Sequence, residues 1–178
     1  MGKRKDFQYF INSLEQACKQ IEHHYFKITV APQGEFIHRE RVYCYELYHQ
    51  LRSILGDSYP YKLDGELDKA SHPIISEQIG AKKPDFIVHV PGTMENNLIV
   101  VEVKPISERI SRLKEDLETL HLFMSKAKYY RAIMLVYGAD EIGNIEIIKT
   151  ELISYNSNQL YLYWHKEPRR KPIWVSMP

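Results

Sequence analysis

Apolar residues recur along the chain with two periods, one near 3.6 residues and one of 2. Phe7, Ile11, Leu14, Cys18, Ile21 and Tyr25 stand at helical spacing and predict an amphipathic helix over 6–25. A short segment with Pro32 and Gly34 follows. Cys44, Leu47, Tyr48, Leu51 and Leu55 then share one face of a second helix over 38–55, with Gly56 as its stop. Residues 60–68, PYKLDGELD, read as a first strand, or as a strand with a bulge at Gly65. Two apolar runs, Phe86–Val90 and Leu98–Lys104, flank the turn-forming PGTMENN and predict an antiparallel hairpin. Ser107 is placed to cap a third helix with the stripe Ile110, Leu113, Leu117, Leu120 and Met124. A buried strand over 132–137, AIMLVY, ends at Gly138; a helix over 141–154 and a strand over 160–165, LYLYWH, come after it.

The order is helix, strand, strand, strand, helix, strand, with extra elements at both ends. A hairpin followed by a helical crossover implies a mixed sheet with helices packed on it, hence an α/β fold. No repeat, low-complexity stretch or linker interrupts residues 1–178, so one domain is expected.

Composition narrows the function only slightly. With 44% hydrophobic and 26% charged residues the chain has the make-up of a soluble globular protein, and its net charge of +1 does not advertise a polyanionic partner. The cations are unevenly spread: GKRK (Gly2–Lys5) and HKEPRRKP (His165–Pro172) could each touch phosphates or simply be solvated. Thirteen tyrosines supply many rings that pack on one side and hydrogen-bond on the other. IWV (Ile173–Val175), with Met177 after it, could dock on the domain or on a second copy, which raises a homodimer as an expectation. Cys18 and Cys44 both fall in apolar helical patterns, without zinc-ligand spacing. No apolar signal region opens the chain and no run is long enough to span a bilayer, so a reducing, cytoplasmic compartment is expected.

The hairpin carries the chemistry. Alternation puts Val100, Glu102 and Lys104 on one face of their strand, with Ile99, Val101 and Val103 on the other. Pairing the strands brings Asp85, at the start of one, beside Glu102 and Lys104, at the end of the other. Three ionised groups meeting at a sheet end make a poor core and a good seat for a hard divalent cation. Mg²⁺ takes oxygen ligands and keeps several waters, so two carboxylates can hold it beside a phosphate. A nearby lysine can orient water or stabilise charge developing on the phosphorus oxygens. The bland alternative is a strand-end salt bridge in which Lys104 neutralises both acids.

With Pro84–Asp85 followed by Glu102-Val103-Lys104, in this order of elements, the chain resembles the PD-(D/E)xK nuclease superfamily over roughly residues 38–138. The resemblance implies a restriction-endonuclease-like core and a Mg²⁺-dependent nuclease, with Mn²⁺ able to substitute. Nucleic acid would be the partner, DNA rather than RNA. It implies Asp85 and Glu102 as metal ligands and Lys104 as the residue acting on the attacking water. Members often add a glutamate from the helix before the first strand, for which Glu40 and Glu46 are the candidates. Glu40 lies four before Cys44, seven before Leu47 and eleven before Leu51, on the inward stripe; Glu46 falls away from it. Glu40 is therefore the first choice, as catalytic residue and metal ligand, and Glu46 the second.

Around this set, Glu66 or Lys69 could line the same cleft. Lys82, Lys83 and Arg41 could meet the nucleic-acid backbone. His89 shares the face of Asp85 and could pair with it for acid–base work, or be a packed side chain. His23 and His24 are adjacent on a helix and cannot face one ligand. No Walker loop, dinucleotide fingerprint or Gly-x-Ser-x-Gly elbow occurs. A second class of function is a non-catalytic module with the same fold, binding nucleic acid or protein through the tyrosines and the basic tail.

Overall fold

The computed structural model of the protein describes residues 2–30, 34–66, 79, 82–139, 143–155 and 157–175. Helix α1 (Lys3–Gln20) buries Phe7, Phe10, Ile11, Leu14, Ala17 and Cys18, the face its periodicity predicts. It ends five residues earlier than expected. Ile21 is extended, and its carbonyl accepts the Arg169 N–H at 2.9 Å instead of continuing the helix. A single turn, α2 (His23–Phe26), follows and buries Phe26, where the helical spacing predicted Tyr25. Strands β1 (Ile28–Val30) and β2 (Glu35–Ile37) form a small antiparallel hairpin where only a connecting segment was expected.

Helix α3 (Glu40–Leu55) stops at Gly56, whose φ of 63° suits glycine. Strand β3 (Lys62–Gly65) is shorter than predicted and has no bulge in its pairing with β4 (Phe86–His89). β4 runs antiparallel to β5 (Asn97–Pro105), with an irregularity at Val88 and His89. Helix α4 (Ile110–Ser125) carries the expected stripe, but Ser107 does not cap it. Its N-cap position is Arg109, and Ser107 Oγ instead meets His38 Nδ1 at 3.2 Å. Strand β6 (Arg131–Tyr137), helix α5 (Asn144–Ser154), strand β7 (Leu160–His165) and strand β8 (Ile173–Val175) follow.

The main sheet has six strands in the order β3-β4-β5-β6-β7-β8. β5, β6 and β7 are parallel neighbours, and the outer pairs are antiparallel. The sheet is therefore mixed, and the fold is α/β. Ile99, Val101, Val103, Ile133 and Leu135 face the core shared with α1 and α3. Val100, Ala132, Met134 and Val136 face the core shared with α4 and α5. β5 and β6 are buried on both faces, which is why they read as near-continuous apolar runs. The apolar IWV segment forms an edge of this sheet, and Met177 lies outside the described residues. Cys18 and Cys44 are buried free thiols, and no helix among the described residues is long and apolar enough to cross a membrane.

Candidate active site

Strand β5 pairs with an antiparallel neighbour on one side and a parallel one on the other. Clefts of α/β sheets form at the carboxyl ends of strands where connections change sense, and Glu102 and Lys104 stand at that end of β5. Glu102 is 4% exposed, although the strand around it is apolar. Asp85 immediately precedes β4. Pro84 has no N–H to extend the ladder, and the Val103 N–H opposite donates at 2.7 Å to the Asp85 carboxylate, which serves where a strand carbonyl would. The side chain at the start of β4 is thereby locked against β5.

Glu40 opens α3, where the positive end of the helix dipole favours an acid. Its carboxylate lies 3.0 Å from Lys104 Nζ. Lys104 Nζ is also 4.0 Å from Asp85 and 3.7 Å from Asp116, an α4 residue the sequence reading did not single out. Asp116 lies three residues after Leu113 and four before Leu120, on the inward stripe of its helix. An acid at that spacing was the signal for it. Its Oδ2 is buried and accepts no hydrogen bond.

These side chains line one cavity of about 360 Å³ together with Glu66, Lys82, Lys83 and Glu115. Lys82 pairs with Glu118 of α4 at 3.8 Å. Arg41 stands 3.5 Å from Glu66. Glu66 has a φ of 44°, in the left-handed region that costs a non-glycine residue energy. Its N–H donates to the Asp85 carbonyl at 3.0 Å, which binds this strained residue to the site.

Glu46 is held on the surface of α3, accepting from Gln50 Nε2 at 2.7 Å, and does not line the cavity. His89 pairs with Asp64 at 2.8 Å, not with Asp85, because it sits at the far end of β4. Lys69 lies outside the described residues. In the basic tail, Arg169 pairs with Glu22 at 2.5 Å and Lys171 with Glu15 at 3.9 Å. Lys3 donates to the Glu95 carbonyl at 2.8 Å.

Crowding sets the proton affinities. Burial, then the charges of Asp85 and Asp116, push the Glu102 carboxyl well above its usual range. Burial raises Asp85, against the opposing pull of Lys104 and of the Val103 N–H. Glu40 is raised by burial, and Asp116 is pushed up to about 6, first by burial and then by Asp85 and Glu40. Burial opposes the charge on Lys104, but the surrounding carboxylates outweigh it and raise its pKa, so the ammonium is retained. Four carboxyl groups thus face one ammonium, and the acids hold protons more tightly than free ones do.

That donor set is oxygen-only, partly dry and short of positive charge, the chemistry a hard divalent cation requires. The carboxylates are gathered on Lys104, however, and no group of three His, Cys, Asp or Glu side chains among the described residues is arranged to hold a metal ion. The residues fit the cation by chemistry and charge, while their geometry gathers them on Lys104. In comparison with known proteins, no family model matches the chain, and no curated protein matches it.

Proposed function

We propose that the protein is a Mg²⁺-dependent nuclease hydrolysing phosphodiester bonds of nucleic acid, DNA rather than RNA, on a restriction-endonuclease-like core. The observation that carries the reading is the excess of carboxylates in one cavity, where six acids line the wall with three lysines and Glu40, Asp85, Glu102 and Asp116 surround Lys104. A structural salt bridge needs one acid per base, whereas a divalent cation needs a surplus of acids, and the bound cation in turn offsets their repulsion of a phosphate.

Asp85 and Glu102 would hold Mg²⁺, with Glu40 completing the set. Bound there, the ion supplies Lewis-acid polarisation of the phosphoryl oxygen and acidifies water. Lys104 keeps its proton, so it serves as a cationic donor and not as a base: it orients the attacking water and stabilises charge on the phosphorus oxygens. Asp116, with its carboxyl pushed up to about 6, takes the proton leaving the water. A bond from water oxygen to phosphorus forms as the bond to the leaving sugar oxygen breaks, and that oxygen is protonated by solvent. Lys82, Lys83 and Arg41, at or beside the cavity rim, meet the flanking phosphates.

The test incubates labelled single- and double-stranded DNA and RNA with the protein in Mg²⁺, Mn²⁺ or EDTA. Cleavage is expected in either metal and not in EDTA. Asp85→Ala should abolish it, and Lys104→Ala should lower it by roughly 10²–10³-fold, the cost of removing one transition-state donor. A non-catalytic binding module is favoured by one observation, the gathering of the acids on Lys104 instead of on a common point. Absence of cleavage of every substrate, with no heat of Mg²⁺ or Mn²⁺ binding, would decide for that second reading.

A further inference from the structure

A second cavity, of about 470 Å³, lies against the acidic one between α3 and the β3–β4 edge. Asp85 and Glu66 line both, so the two are continuous. The walls differ in chemistry. The second is lined by the rings of Tyr45, Tyr48 and Phe86 and by the backbone of Gly65. Glu40, Cys44 and Tyr48 recur four residues apart along α3, so a single helix edge leads from the carboxylates to the rings.

This groove is prepared for a flat ligand. Tyr48 is fixed, its hydroxyl donating to the Leu63 carbonyl at 3.1 Å and its ring stacked on Phe86 with centroids 6.2 Å apart. Tyr45, 63% exposed, leaves its ring to solvent at the rim. Glycine inside a strand commonly marks close approach of a ligand. A Cβ on Gly65 would sit 3.7 Å from Tyr48 Cδ2 and 3.8 Å from Phe86 Cδ1, at ordinary contact. The backbone there would accept a side chain, and without one the groove stays open.

Charge selects which part of a nucleotide enters. Beside the Tyr45 and Tyr48 hydroxyls and the Cys44 thiol, this groove is lined by the carboxylates of Asp64, Glu66 and Asp85, with no lysine or arginine to hold a phosphate. A neutral base offers these carboxylates amino or ring N–H donors and offers the rings a π face. The lysines are on the other side, in the acidic cavity, where the phosphate would lie. We propose that this groove stacks an unpaired base adjacent to the scissile phosphodiester, and that the substrate is single-stranded nucleic acid. The inference rests on the nuclease reading for the place of the cut. In a duplex, both faces of a base are covered by its neighbours, so the base cannot enter a groove beside its own backbone without unstacking.

The experiment measures affinity and cleavage separately. Fluorescence anisotropy in Ca²⁺, with intact probe verified on a gel, compares a labelled single-stranded oligonucleotide with a closed hairpin duplex of the same sequence. The wild type should bind the single strand about tenfold or more tightly than the duplex. Tyr45→Ala and Gly65→Leu should each weaken single-strand binding roughly five- to 150-fold, the equivalent of losing one base–ring stack, with duplex binding unchanged. Tyr45→Phe keeps the ring and should bind as the wild type does. Because Tyr45 is exposed, its replacement tests the ring without disturbing the core. Equal affinity for single strand and duplex, or wild-type affinity in both Tyr45→Ala and Gly65→Leu, overturns the proposal. Metal-dependent cleavage by these variants at the wild-type rate and affinity would leave the nuclease standing alone. Weakened binding in the variants, with a wild type that cleaves nothing, would uphold the base groove and remove the nuclease.

Discussion

Asp116 combines two opposing roles. Its carboxyl is raised even after the attraction of Lys104 is included, so its ionised form is less welcome in the folded chain than in the unfolded one. Between its ordinary value and about 6, the folded state binds a proton that the unfolded state releases. Stability therefore falls as pH rises through that window. Lys104, raised above its usual range, contributes a stabilisation that is constant across it. In EDTA the protein should melt at higher temperature at pH 5 than at pH 8, and Asp116→Asn should remove part of the difference by raising the pH 8 value. Each 1 kcal/mol of relieved repulsion corresponds to about 2–4 °C in a chain of this size. The same substitution should lower cleavage. A thermal melt in which Asp116→Asn is destabilising at pH 8 would refute the crowding argument. Cation binding draws on the same protons. Mg²⁺ should raise the melting temperature at pH 8 far more than at pH 5, and calorimetry in buffers of different ionisation heat should register proton release. Of this cluster, Asp85, Glu102, Lys104 and Glu40 were readable in the sequence, because strand alternation and helical phase each fix a direction. Asp116 carries the same helical signal but was overlooked, since the apolar stripe around it accounts for its helix without it.

At the level of elements, Gly138 holds the end of the sheet together. Its φ is 116°, and a Cβ there would stand 2.7 Å from Ile106 Cγ2 and 3.1 Å from His38 Nε2. Ile106 in turn donates its N–H to the Tyr137 carbonyl at 2.8 Å and accepts from Asn144 Nδ2 at 2.9 Å. Loop β5–α4, the end of β6, the start of α5 and the approach to α3 thus meet at one point, two residues from Lys104. Gly138→Ala should destabilise by about 1–3 kcal/mol, read from urea unfolding, and should lower cleavage by shifting Lys104. Full stability in that variant would mean the contact is slack. The long elements were legible because each repeats its pattern over many residues. Two short ones were not: β1 and β2 have three residues each, too few for a period to declare itself, whereas β3 and β4, of four residues each, were read as strands with bounds set too wide. The end of α1 was misplaced for a different reason: Ile21 leaves the helix for a hydrogen bond with Arg169, a partner 148 residues away that no local pattern can reveal.

Across the whole molecule, spatial strand order follows chain order, so each strand of the main sheet joins one already in place. The exception to this sequential plan is the first helix. Phe7 packs on Tyr161 of β7, with ring centroids 5.1 Å apart, and Phe10 and Leu14 lie in the core that Leu135 and Tyr163 help to close. Arg169 joins the same region by its backbone to Ile21 and by its side chain to Glu22. During synthesis α1 emerges well before its partners in β6 and β7. Translation adds roughly 5–20 residues per second, so the apolar face of α1 is without its sheet for many seconds on the ribosome. A nascent chain arrested before β7 would expose that face, and it is the segment from which a chaperone would have most to shield.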